Sequence, residues 1–162
     1  MNVLVRGLLI AALGAAMGCG GSKSADNAKD QASASTGGSG GTATTSKFDQ
    51  GPRAGESKAD EAMAEHGEKL FQEKGCSACH TFGKRGTGPD LAGVTMRRTA
   101  QWMENQILHP DVMVKEDPIS HQLFGEFALQ MPNQGLTPDE AKAVIEYFKH
   151  RDHEQDEKAD KD

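Results

Sequence analysis

The chain has 162 residues, with 24 acidic side chains against 18 Lys and Arg and a formal net charge of −6. That balance excludes nucleic acid as a partner, because binding a phosphate backbone depends on clustered basic residues. Three cysteines are too few for a four-cysteine zinc site or a multi-bridge disulfide scaffold.

The chain opens "MNVLVRGLLIAALGAAMGCG". One positive residue, Arg6, precedes an apolar run from Gly7 to Gly18 that is shorter than the roughly 20 residues needed to span a bilayer. The run fits the apolar region of a secretory signal. Its end, "AAMGC", resembles a bacterial lipoprotein signal, with Ala16 where such signals usually carry leucine; an ordinary signal cleaved near Ala16 is the alternative. The lipoprotein reading makes residues 1–18 the signal and Cys19 the acylated N-terminus of the mature chain. Several acyl chains, at about 0.8 kcal/mol per buried methylene, anchor firmly where one chain does not. Residues 19–58 then form a flexible linker, since "SASTGGSGGTATTS" has too little apolar surface to fold. A coil of roughly 40 residues has an r.m.s. span of about 35 Å and acts as a tether.

One domain is expected over residues 59–151, rich in helix formers and without a convincing strand. "ADEAMAEHGEKLFQEKG" reads as a helix with Ala59, Met63, Gly67, Leu70 and Phe71 on one face and a stop at Gly75. A second helix spans Thr99 to Leu108, capped by Thr99 and ended by His109-Pro110, with Trp102 and Gln106 on one side. "PDVMVKEDP" reads as a loop, and "ISHQLFGEFALQ" as a short helix interrupted by Gly125. The last helix is announced by Thr137 at the N-cap, Pro138 at the first helical position and Glu140 at the capping-box position. Its stripe is Ala141, Val144, Ile145 and Phe148, with Tyr147 on the flank. Residues 152–162 read as a frayed charged tail. A domain of about 90 residues with so few aromatics has a marginal core, which an apolar group in its middle would complete.

The chemistry sits in "GCSACHTFGKRGTGPDL", Gly75 to Leu91. Cys76, Cys79 and His80 form C-x-x-C-H, the attachment signature of c-type haem. Two thiols three positions apart reach the two vinyl groups of one porphyrin, and the next residue is then placed over the iron. A thioredoxin-like pair would follow a strand, and none precedes Cys76. An exported, unconsumed cysteine pair would oxidise.

With these residues in view, the chain resembles the class I c-type cytochromes from about Ala59 to Lys149. "HGEKLFQEKGCSACH" looks like the family's first helix running into the attachment site. "GTGPDLAGV" resembles the following loop, "RRTAQWMENQILHP" the middle segment, and "MPNQGLTPDEAKAVIEYFK" the methionine loop and final helix. The resemblance implies an all-α fold of about four helices around one covalent haem c. It implies that Cys76 and Cys79 hold the haem and that His80 is an axial ligand, its imidazole oriented by the Pro89 carbonyl. It also implies that Gly67 lets Tyr147 pack closely, and that Trp102 with Arg97 or Arg98 steadies a propionate. For the second axial ligand the candidates are Met96, Met103, Met113 and Met131, with His109 and His121 behind them. Met103 falls mid-helix and Met96 is too near His80 in sequence. Met131, held extended before Pro132 on the loop preceding the last helix, matches the family's "MP" and is the expected ligand.

Two occupied axial positions suit one-electron transfer and no catalysis. The expected function is a membrane-tethered carrier on the periplasmic or external side, lipid-anchored to the cell membrane or outer membrane. It would run between a quinol-oxidising donor complex and an oxidase or reductase. A haem-based sensor or peroxidase with a labile methionine, or a fixed subunit of one complex, are the alternatives. Lys74, Lys84, Arg85, Arg97 and Arg98 cluster near the attachment site and suggest a basic docking rim.

Overall fold

The computed structural model describes residues 45–159. The signal region 1–18, Cys19, the linker up to residue 44 and residues 160–162 lie outside the described residues. Among the described residues there are six α-helices and no strand: α1 (Glu61–Glu73), α2 (Val94–Arg97), α3 (Ala100–Leu108), α4 (Pro110–Glu116), α5 (Pro118–Phe127) and α6 (Pro138–Ala159). The fold is all-α, as expected.

Helices α1 and α6 form the main seam. Asp60 caps α1 by accepting Met63 N–H at 3.0 Å. The expected capping box starts α6: Thr137 N–H donates to Glu140 Oε2 at 2.8 Å, and Glu140 N–H to Thr137 Oγ1 at 3.3 Å. The Thr137 N–H holds the Glu140 carboxyl below its ordinary pKa. Where the helices cross, a Cβ on Gly67 would lie 2.0 Å from the Ala143 carbonyl oxygen, so only glycine allows the two backbones to meet. Gly67 thus faces the Ala143–Val144 backbone, and Tyr147 lies against the same stretch of α1, beside Ala64 and Glu68. The Tyr147 ring centroid is 5.5 Å from that of Phe71. Phe82 and Phe148 complete a four-ring cluster on the same seam.

The middle of the chain holds four short helices where two are expected. Thr99 caps α3 as expected, accepting Trp102 N–H at 3.1 Å. Pro110 does not merely end α3; it takes the first position of α4, where its missing N–H costs nothing. "PDVMVKE" is therefore helix rather than loop, and Met113 is buried at 1% exposure. Asp117-Pro118 repeats the arrangement at α5, which runs through Gly125 without a break.

Both expected domain limits move outward. Residues 45–58, expected as linker, form a strap across the domain. Ser46 is buried and donates its hydroxyl to Asp117, and Lys47 pairs with Glu116 at 2.9 Å. Asp49 accepts Thr99 N–H at 2.8 Å, and Ala54 N–H donates to the Arg98 carbonyl at 3.0 Å. At the other end, α6 continues through the expected tail. Asp152 is 4% exposed and accepts from Gly93 N–H (2.7 Å), Thr95 N–H (3.0 Å) and Thr95 Oγ1 (2.6 Å), tying α6 to the start of α2.

Candidate cofactor site

After α1 the chain turns at Gly75 into a single 3₁₀ turn, Cys76–Ala78. Gly88 N–H donates to the Cys79 carbonyl at 2.8 Å and Leu91 N–H to the Thr81 carbonyl at 2.9 Å, closing residues 79–91 into a loop against the turn. Cys76, Cys79 and His80 then share one cavity with Pro89, Trp102, Met103, Gln106, Met131 and Phe148. Much of the remaining lining is apolar, including Phe71, Leu91, Val94, Ile107, Leu123 and Val144.

His80 is oriented by the loop. Its Nδ1 lies 2.9 Å from the Pro89 carbonyl oxygen. A carbonyl only accepts, so Nδ1 carries the proton and the neutral ring keeps its lone pair on Nε2, the nitrogen left for a metal. Gly88 passes so close to the ring that a Cβ there would fall 2.7 Å from His80 Cε1. Burial pushes the Cys76 thiol pKa up. Two thiols, an oriented imidazole and an apolar cavity fit a covalently held haem.

Of the four methionines weighed from the sequence, Met103 and Met131 line the cavity; Met96 and Met113 do not. Met103 is 3% exposed on α3, within the core cluster. Met131 lies on the segment between α5 and α6, and Gln106 Nε2 lies 3.9 Å from its sulfur. His109 stands just ahead of α4 without a side-chain capping hydrogen bond, and His121 Nδ1 lies 3.2 Å from the Val114 carbonyl; neither lines the cavity.

Arg97, Arg98 and Trp102 all reach the cavity, but the indole is differently engaged from the expectation. Trp102 Nε1 donates to the buried Asp117 at 3.1 Å, so its N–H is not turned toward an anion in the cavity. Its ring instead supports the Arg98 guanidinium, 5.1 Å from the centroid. Burial lowers the Arg98 pKa while Asp49 opposes that shift; the group stays charged. Arg97 donates to the Ala92 and Asp90 carbonyls at 2.6 and 3.3 Å.

The expected basic rim is largely answered within the chain. Lys74 pairs with Glu140 at 3.5 Å, Arg98 with Asp49 at 3.5 Å and Arg85 with Glu126. Sequence reasoning missed Asp117 and Gln106. The Asp-Pro pair was a legible N-cap signal for the first; the second was marked only by sharing a helix side with Trp102.

A family model described as Cytochrome c matches residues 64–152, more than half of the chain. A cytochrome c from Rhodothermus marinus is 35% identical with a TM-score of 0.59, over 60% of this chain and 84% of that one. An engineered cytochrome c from the same organism is 33% identical with a TM-score of 0.57, over 59% and 83%. An engineered form bound to a carbene intermediate is 34% identical with a TM-score of 0.54, over 59% and 82%. No curated protein matches the chain.

Proposed function

The chain belongs to the cytochrome c family and is a haem-based electron carrier with covalent haem c; from that premise we propose which residues hold the group and where the protein works. Cys76 and Cys79 would hold the haem through two thioethers. His80 would offer Nε2 to the iron, and Met131 would offer its sulfur. The observation that supports this most is the His80–Pro89 hydrogen bond at 2.9 Å, in a cavity that Met131 also lines. When bound, the haem supplies a one-electron couple, and a thioether ligand favours the reduced state relative to two nitrogen ligands. Because this chain would supply two ligands to the iron, His80 and Met131, an outside substrate would have to displace one of them, and electron carriage is the reading favoured over sensing or peroxidation. Arg97 and Arg98, which line the cavity, would pair with the propionates, with Trp102 acting through Arg98.

The carrier works as an exported lipoprotein, held by acylated Cys19. Residues 20–44 serve as tether, and the folded domain begins at the strap. Its donor is a quinol-oxidising complex and its acceptor an oxidase or reductase. Among the described residues no helix is long and apolar enough to cross a membrane.

Two experiments test these assignments. Met131→His should abolish the far-red charge-transfer band between methionine sulfur and ferric iron and lower the reduction potential, while Met103→Leu keeps the band. Retention of the band in Met131→His, or rapid carbon monoxide binding by the reduced native protein, sinks the His/Met reading. Cell fractionation tests the anchor: Cys19→Ala should move the haem-bearing domain from membrane to soluble fraction, and an unchanged distribution rejects lipidation.

A further inference from the structure

The segment that carries Met131 has little to hold it. Between Leu129 and Asp139 most residues are exposed. Asn133 Nδ2 donates to the Leu108 carbonyl at 2.8 Å, and the Met131 sulfur meets Gln106 Nε2 at 3.9 Å, the long reach of an N–H···S hydrogen bond. Both contacts go to α3 or its end.

The sense of the Gln106 amide follows from its surroundings. Its Oε1 accepts Ser120 Oγ at 2.5 Å. Reversing the amide would set its carbonyl oxygen against a thioether sulfur that has lone pairs and no proton. Ser120, at the start of α5, is itself held: its N–H donates to Asp117 Oδ1 at 2.8 Å. Trp102 Nε1 donates to that oxygen too, and Ser46 Oγ to the other. Asp117 is 1% exposed and Ser120 4%. The amide therefore stands at the end of a buried chain of hydrogen bonds that water does not loosen.

We propose that Gln106 is a positioning residue for Met131, donating its N–H to the sulfur lone pair that is not given to iron. This deepens the His/Met assignment and rests on it. The donor fixes which lone pair faces the iron, draws electron density from the sulfur, and points the positive end of the amide dipole at the site. The last two effects disfavour ferric iron, so both raise the reduction potential.

The test uses the full-length haem-loaded protein and three readouts: potential, wavelength of the methionine-to-iron band and thermal unfolding midpoint. Gln106→Leu should keep the band but shift it, and lower the potential. Ser120→Ala, which frees the amide without removing it, should move both the same way by less. The double variant should move them no further than Gln106→Leu alone, the non-additive pattern of one chain of contacts. A Gln106 that only fills space would lower the midpoint and leave potential and band in place; that result overturns the proposal, as does a rise in potential. If Gln106→Leu does not load haem, Ser120→Ala decides by the same two spectroscopic and redox criteria. Met131→His separates the two failures. If it abolishes the band while the Gln106 and Ser120 variants change nothing, only the positioning role falls; if it keeps the band, the ligand assignment falls first.

Discussion

The α1–α6 seam and the opposite side of the domain, from the strap through α5, are held by different physics. On the seam, helices of 13 and 22 residues are long enough to bury continuous stripes. Ala141, Val144, Ile145 and Phe148 are all buried, and the glycine crossing adds direct backbone contact. On the other side the helices have 4, 9, 7 and 10 residues. Short helices bury little and leave a large share of their terminal N–H groups without intrahelical partners. Aspartates meet that need, Asp117 and Asp152 buried and Asp49 partly so: Asp49 for Thr99, Asp117 for Ser120, and Asp152 for Gly93 and Thr95. The lesson is that a small domain built around a prosthetic group needs only one self-sufficient packing seam; the rest is stitched by carboxylates around the cavity.

The comparison breaks most sharply at Gly67. Gly67→Val forces a branched side chain into the Ala143 backbone, and the loss should be about 4 kcal/mol or a failure to fold, seen in chemical denaturation of the haem-loaded protein. A loss below about 1 kcal/mol would mean that the seam yields as easily as an ordinary helix contact. Next comes Asp117→Ala, which strands the Trp102 indole N–H, the Ser46 hydroxyl and the Ser120 N–H. We expect a loss of about 3 kcal/mol, with hydrogen exchange accelerated in α3, α5 and the strap but not in α1 and α6. Equal acceleration in α1 and α6 would show that the two sides are one cooperative unit and that the contrast is only architectural.

The parts of the molecule that reveal themselves in sequence are those whose causes are local. The C-x-x-C-H spacing, the stripe of α6 and the Thr99 and Thr137 caps each depend on residues within a few positions. The His80–Pro89 geometry was legible only through resemblance. What escaped has distant causes. Ser46 and Asp117 are 71 positions apart, and Asp152 and Thr95 are 57. A glycine-rich stretch just ahead of it therefore hid an ordered strap, and a charged tail hid a buried carboxylate. The two prolines were misread for a different reason: each opens a helix, but Pro110 was weighed only as the end of the helix before it and Pro118 only as part of a loop. Trp102 was placed at the right wall, but its N–H direction depends on a carboxylate 15 residues on.

The strap also determines where mechanical load enters. A pull on the chain ahead of Thr45 is met first by the buried Ser46–Asp117 hydrogen bond and the Lys47–Glu116 pair. Next come the Asp49 contacts to Thr99 and Arg53 and the Ala54 bond to the Arg98 carbonyl. Only after these does tension reach α1 and the cysteine turn behind it. Force is thus diverted into α3 and α5, and the attachment loop is shielded from a pull applied ahead of the strap, as a cable is relieved of strain at its clamp.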